Sequence, residues 1–357
     1  MKGVAVMNRI RVADNKWIGK GEPVFIIAEV GVNHNGDISL AKRLVEVAAK
    51  AGADAVKFQT FKAENVVTKT APKAEYQRET TDIANSQFEM LKRLELSKQD
   101  FAELKDYCDQ RGIIFMSTPH DQESIDVLDQ LGISIFKIGS GDITNLPYLQ
   151  YMARKGKPMI LSTGIATLGE IEEAVETILG AGNKELILLH CVSSYPADVE
   201  ECNLRAIQTL ENAFQLPVGF SDHTLGIEVS LAAVALGACV IEKHFTLDRT
   251  LPGPDHKASL EPAELAQLIQ GIRAVEKALG DGLKRPSPKE LKNRAIIRKS
   301  LVAACNIPAG TIILDSMITI KRPGTGLAPK FKAEVVGRRA RVNIAEDQLI
   351  EWRMLDD

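Results

Sequence analysis

Short apolar, β-branched runs recur along the chain, each followed by a stretch with helical spacing. In order they are VFIIAEVGVN (24–33), AVKFQT (55–60), IIFMSTP (113–119), IFKIGSG (135–141), PMILSTG (158–164), LILLHCV (186–192), PVGFSDH (217–223) and CVIEKHF (239–245). These runs are apolar throughout rather than alternating, as strands covered on both faces are. The intervening segments are amphipathic. SLAKRLVEVAAKAGA has Ser39 as a candidate N-cap and Gly52 at its end, and TLGEIEEAVETILGAG carries glutamates in its first turn, where they favour the helix dipole. Alternating strands and helices predict a parallel sheet, and eight repeats within about 250 residues predict a closed α/β (β/α)8 barrel. The connection from Phe61 to Ser97 is long for a barrel and reads as a lid or binding loop.

After EPAELAQLIQGIRAVEKALGDG the pattern changes. KRPSPKELKNRAIIRKS is basic and punctuated by proline, and the rest shows short β-like runs separated by PAG, RPGTG and VVGR. The organisation expected is a barrel over 1–284, a linker over 285–297 and a small, mostly β domain over 298–357. A domain of about 60 residues is small for a core of its own and is expected to lean on another surface.

Composition narrows the function classes. Among 357 residues the formal net charge is −3, so nothing global draws the chain to nucleic acid or membrane, and attraction for an anion must be local. No run approaches the roughly 18 apolar residues that cross a bilayer. The N-terminal MKGVAVMNRIRVADNKW lacks the apolar core of a signal peptide, and the five cysteines (Cys108, Cys191, Cys202, Cys239, Cys305) show no CxxC spacing. Reduced thiols in a cytoplasmic protein are expected, with Cys191 and Cys239 in the core.

Polar residues collect at the ends of the predicted strands, where barrel enzymes place their chemistry. They include Glu29, Lys57, Gln59, Thr118, Lys137, Ser140, Asp142, Ser162, Tyr195, Ser221, His223, Glu242, Lys243 and His244, and all six histidines lie on a strand end or the loop after one. His34 and Asp222 read equally as turn formers, and His190 equally as a core histidine. Lys57, Lys137 and Lys243 each follow an apolar strand residue, where an unpaired ammonium is costly. They call for carboxylates (Glu29, Asp142, Glu242) or for a bound anion. Hydroxyls in SGD, STG and SDH stand near helix starts, and with the lysines they describe a phosphate or phosphoenolpyruvate cradle. His223 and His244 end adjacent strands and suit a divalent ion with open coordination positions, Mn²⁺ better than zinc.

The motifs AEVGVNHNG, KFQT, STP, KIGSGD, STG, HCVSSYP, GFSDHT, EKHFTLD and GPDHKAS, with KRPG near the end, resemble the sialic acid synthases from about Phe25 onward. The terminal segment is similar to the antifreeze-like (SAF) domain that accompanies that barrel. The resemblance implies condensation of phosphoenolpyruvate with N-acetylmannosamine or a related acylated sugar, with release of phosphate. It implies Glu29 as the catalytic carboxylate and Lys57, Thr118, Lys137, Ser140, Ser162 and Ser221 as phosphoenolpyruvate ligands. Gln59, Asp142, Tyr195 and Asp255 would bind the sugar, and His223 and His244 would hold Mn²⁺, or Mg²⁺ or Co²⁺ in its place. Arg322 would reach the N-acyl group from the partner in a domain-swapped homodimer.

N-acetylneuraminate synthesis is the first expectation. Ser193 in HCVSSYP departs from N-acetylmannosamine-specific relatives, and KIGSGDITNLPYL also resembles enzymes of the legionaminic acid branch, which use 2,4-diacetamido-2,4,6-trideoxymannose. A synthase acting on a sugar phosphate would need a spare Arg cluster on the barrel loops, and none is visible. A non-catalytic sugar-binding protein is the alternative of another class.

Overall fold

The computed structural model describes residues 9–81 and 86–356. The chain forms two compact units, Met1–Gly280 and Asp281–Asp357.

In the first unit the expected strands form the parallel barrel: β1 (Phe25–Gly31), β2 (Ala55–Thr60), β3 (Ile114–Pro119), β4 (Phe136–Ile138), β5 (Met159–Ser162), β6 (Leu186–Cys191), β7 (Val218–Asp222) and β8 (Val240–His244). Their order in the sheet is β3-β2-β1-β8-β7-β6-β5-β4. The end strands β3 and β4 lie side by side, so the ring is nearly closed. Successive residues of a strand face opposite ways, so each strand presents one series to the surrounding helices and one to the lumen. The lumen series starts apolar: Phe25, Ile27, Met116, Ile160, Ile187, Leu189 and Val240 form one buried cluster. Continuing those series by two residues reaches Glu29, Thr118, Ser162, Cys191 and Glu242. The lumen is thus greasy below and polar at the C-terminal mouth.

Close packing of the lower layer depends on Gly219 of β7. A Cβ there would stand 2.6 Å from both Val240 Cβ and Val240 O, and 2.7 Å from Leu189 Cδ2. Gly219→Ala is therefore expected to destabilise the barrel by at least about 1–3 kcal/mol through overpacking. A urea midpoint equal to that of the parent would contradict this account of the layer.

Beneath the barrel stands a hairpin that strand-by-strand reading of the sequence overlooks, Arg9–Ala13 paired antiparallel with Lys16–Gly19. Ile10 and Val12 alternate with Arg9 and Arg11, and with Ile18 they join the lower lumen cluster. Asn15, at φ 58°, supplies the turn, a conformation asparagine tolerates better than most residues.

Helix Ile38–Ala51 begins two residues earlier than Ser39 as N-cap suggests. Asp37 is the N-cap, its carboxylate accepting from the Ser39 N–H, and Gly52 closes the helix at φ 91°. In helix Leu168–Gly180, Thr167 and Glu170 form the capping box. The long connection after β2 contains the short helices Ala63–Val66, Glu75–Thr80 and Gln87–Leu94. Among the described residues no helix is long and apolar enough to cross a membrane.

The second unit pairs Ser300–Ala303 antiparallel with Ile318–Lys321. Contrary to the expectation from its size, it encloses a core of its own, including Leu301, Ile307, Ile313, Val335, Ile344 and Ile350. The segment read as a linker carries helix Pro288–Ile297, which buries no residue and exposes Leu291, Ile296 and Ile297.

Candidate active site

At the mouth four charged side chains from β1, β2, β4 and β8 meet. Lys57 Nζ lies 2.8 Å from Glu29 Oε2 and 3.7 Å from Glu242 Oε2, while Lys137 Nζ lies 3.2 Å from Glu242 Oε1. All four are buried. The register explains the first pair, since Glu29 stands opposite Lys57 across β1 and β2. Hydroxyls extend the group: Lys57 donates to Thr118 Oγ1 at 3.1 Å, Lys137 to Ser162 Oγ at 2.8 Å, and Ser221 to Glu242 Oε1 at 2.9 Å.

The two carboxylates titrate far apart. Burial pushes Glu29 up to about 7, with Lys57 opposing and Glu242 adding to the rise. Glu242 is just as buried, but Lys137 and Lys57 together overcome the desolvation and bring it down to about 2. Burial lowers Lys137, whereas in Lys57 the pull of Glu242 and Glu29 overcomes burial and raises it. Around neutrality Glu242 is therefore a fixed anion holding both lysines, and Glu29 can exchange a proton. Environments that separate paired carboxylates in this way suit acid–base chemistry.

Ser140 packs against the backbone after β5. Ser140 Oγ accepts from the Gly164 N–H at 3.0 Å and lies 3.2 Å from Cys191 Sγ. A Cβ on Gly164 would sit 2.4 Å from Ser193 Oγ and 2.8 Å from Ser140 Oγ. The Ser140 and Ser193 hydroxyls crowd this backbone so closely that only glycine fits there. Cys191, expected in the core, is buried beside Ser140.

On the other side of Glu29, three groups converge on Gly31. A Cβ there would stand 3.3 Å from Glu29 Oε1, 3.4 Å from Asp255 Oδ2 and 3.4 Å from Gln59 Nε2. Burial lifts Asp255 to about 6. Tyr195 lies over the two strand-end imidazoles, its ring centroid 4.1 Å from that of His223 and 5.7 Å from that of His244. Asp142 lies 3.7 Å from His120. Arg322 belongs to the second unit.

Of the six histidines, His223 and His244 continue lumen series. His190 has the opposite parity: its Nε2 lies 2.7 Å from Cys202 O and its ring packs on Phe220, so it is a core histidine. His34 and Asp222 are turn formers, accepting from the N–H groups of Gly36 and Thr224. Lys243 also leaves the cradle. It points away from the lumen, bonded to Thr224 O at 2.6 Å and Asp222 Oδ2 at 2.9 Å.

Among the described residues no group of three or more His, Cys, Asp and Glu gathers closely enough to hold a metal ion. The pair His223 and His244, with ring centroids 5.6 Å apart, is what this chain offers. Burial pushes His223 down to about 4 and His244 well below the usual histidine range, so both are neutral, the state that ligates metal. His223 Nδ1 faces Val192 O at 2.6 Å and its Nε2 lies 3.3 Å from Ser221 Oγ, while His244 Nδ1 is buried without a hydrogen-bond partner. Two imidazoles fit an exchangeable ion completed by water and substrate, not a structural zinc.

Sequence reasoning placed Glu242 only as a counter-charge, whereas it is the hub of the site. Its position two residues before His244 in VIEKH was the signal. Tyr76, whose ring centroid lies 5.1 Å from that of Tyr195, comes from the long connection, where no periodicity pointed to it.

Comparison with known proteins matches residues 44–284 to the NeuB family and residues 298–356 to the SAF domain. The chain is 54% identical to the N,N'-diacetyllegionaminic acid synthase of Campylobacter jejuni, over 91% of this chain and 98% of that protein. It is 50% identical to the N,N'-diacetyllegionaminic acid synthase of Legionella pneumophila, over 95% and 96%. Among solved structures, the N-acetylneuraminic acid (sialic acid) synthetase of Leptospira borgpetersenii, in complex with citrate, superposes with a TM-score of 0.71 at 40% identity, covering 80% of this chain and 96% of that one.

Proposed function

The chain belongs to the NeuB family and carries a SAF domain, and from that premise we propose that its barrel mouth condenses phosphoenolpyruvate with an acylated amino sugar to give a nine-carbon keto acid and inorganic phosphate. The observation that carries the reading is the buried cluster of Glu29, Lys57, Lys137 and Glu242 at the barrel mouth, with Gln59 and Asp255 converging beside Glu29. In this reading Lys57, Thr118, Lys137, Ser140, Ser162 and Ser221 hold the phosphate and carboxylate of phosphoenolpyruvate. Gln59, Asp142, Tyr195 and Asp255 hold the open-chain sugar.

C3 of phosphoenolpyruvate forms the new bond to the sugar's aldehyde carbon, and positive charge develops at C2. Water adds to C2 as Glu29 takes one of its protons, which passes on to the alkoxide on the former aldehyde carbon; the C2–O bond of the tetrahedral centre then breaks, and phosphate leaves with the proton of the C2 hydroxyl. Glu242 keeps both lysines oriented and charged beside the departing phosphate. A divalent ion on His223 and His244, Mn²⁺ being the best match, would polarise the aldehyde. Chelation is expected to abolish phosphate release and Mn²⁺ to restore it. Full activity in the chelated protein would remove the ion from the account.

The two relatives at 54% and 50% identity favour 2,4-diacetamido-2,4,6-trideoxymannose over N-acetylmannosamine as the sugar, so the product proposed is N,N'-diacetyllegionaminic acid. The discriminating assay compares kcat/KM for the two sugars at saturating phosphoenolpyruvate. A higher value with N-acetylmannosamine would return the chain to N-acetylneuraminate synthesis.

The active unit proposed is a homodimer in which Arg322 of the partner subunit reaches the N-acyl group. The segments after β5 and β7 expose Ile165, Leu168 and Leu225, and Ile165 does so at φ 61°, a backbone conformation β-branched residues avoid. These exposed apolar side chains support a partner surface there. Deleting residues from 281 onward should leave a folded barrel and raise KM for the sugar at least about tenfold, as loss of a buried charged hydrogen bond does. Unchanged sugar affinity in the truncated barrel would overturn the role given to Arg322.

A further inference from the structure

Next to the Gly31 convergence the mouth contains a small cavity of about 100 Å³ whose lining is divided by chemistry. Gln59, Tyr76, Gln77, Tyr195, His244 and Asp255 supply its polar side. Val32, Met90, Leu91 and Leu94 supply a continuous apolar side. Val32, Met90 and Leu94, with Phe61, form a buried cluster separate from the two cores of the barrel, and Leu91 packs against it half-buried. Helix Gln87–Leu94 carries three of these residues on one face and is fixed at its start by a capping box of Ser86 and Glu89. The polar side accounts for hydroxyl recognition. The apolar side offers a hydroxyl no partner, so a hydroxyl pressed against it loses its water without compensation, whereas a methyl group gains by leaving water.

We propose that this wall selects a deoxygenated sugar: Met90, Leu91 and Leu94 seat a methyl group from the part of the substrate beyond C3. In a 2,4-diacetamido-2,4,6-trideoxy sugar that methyl is either C6 itself or the end of the C4 acetamido group. The inference rests on the synthase reading above and adds to it the element that would set its sugar preference. A pocket distinguishing methyl from hydroxymethyl in this way discriminates by about 10- to 100-fold.

The test uses the full-length protein, its Leu91→Asn variant and the volume-conserving Leu91→Met. Three sugars are compared: 2,4-diacetamido-2,4,6-trideoxymannose, its 6-hydroxy analogue, and 2-acetamido-2,6-dideoxymannose, which lacks the C4 acetamido group. Both Kd by calorimetry and kcat/KM by phosphate release are measured, with the urea midpoint as a control for folding. The parent and Leu91→Met should prefer the trideoxy sugar by about 10- to 100-fold, and Leu91→Asn should reduce that preference to about threefold or less. Collapse against the 6-hydroxy analogue assigns the wall to the C6 methyl, and collapse against the other analogue assigns it to the C4 acetamido methyl. A preference that Leu91→Asn leaves intact against both analogues overturns the proposal. If no sugar is turned over, the synthase reading fails, and the ratio of Kd values still decides the wall.

Discussion

Glu29→Gln should lower sugar-dependent phosphate release by about 100- to 10,000-fold, the range over which a positioned base contributes. The substitution keeps the side chain's shape, and Lys57 still faces Glu242 at 3.7 Å, so the variant should fold. The parent's pH profile carries the signature of the same group. Glu29, raised to about 7 by burial against the pull of Lys57, is a base only when deprotonated. Activity should therefore rise with pH through about 7 and be lost below it, and the residual activity of Glu29→Gln should lack that limb. Full turnover in the variant, or an unchanged acidic limb, would show that another group takes the proton.

Lys57→Met is the second large effect, and it falls on stability as well as turnover. The substitution leaves Glu29 and Glu242 facing each other in a buried site with Lys137 as the remaining cation. Removing one partner from a buried ion network costs about 3–5 kcal/mol, here because Glu29 loses the lysine 2.8 Å away while Lys137 stays paired with Glu242. Adding Glu29→Gln to Lys57→Met should recover much of that loss while activity stays absent. Denaturant unfolding of the parent, the single variants and the double variant measures this coupling. A cost under about 1 kcal/mol for Lys57→Met would mean that solvent reaches the cluster and that the separated titrations of the two carboxylates have another origin.

The barrel was legible because its strands are apolar on both faces and its helices carry good caps, signals that reside in contiguous residues. Much of the site was legible for a related reason: barrel strands place their polar residues at the mouth. What linear reading resolved poorly was direction. Lys137 and Lys243 look alike in sequence, yet parity along the strand sends the first into the lumen and the second behind the wall to Asp222. The same parity lifts Glu242 from counter-charge to hub and makes His190 a core residue. The hairpin went unseen because Ile10 and Val12 alternate with Arg9 and Arg11 and Ile18 follows Trp17 alone, in a short segment that reads as merely polar. Its partner is the floor of the barrel, which no local pattern reveals. Tyr76 and the wall of Met90, Leu91 and Leu94 sit in the long connection after β2, whose approach to the site is a tertiary property.

The most direct test of the reaction proposed for this mouth follows the oxygen that bridges C2 and phosphorus in phosphoenolpyruvate. With that atom labelled as ¹⁸O and 2,4-diacetamido-2,4,6-trideoxymannose as co-substrate, water attack at C2 followed by C2–O cleavage predicts that the released phosphate carries the label, one phosphate per keto acid, and only when the sugar is present. Phosphate released without sugar, or released without the label, would contradict the account.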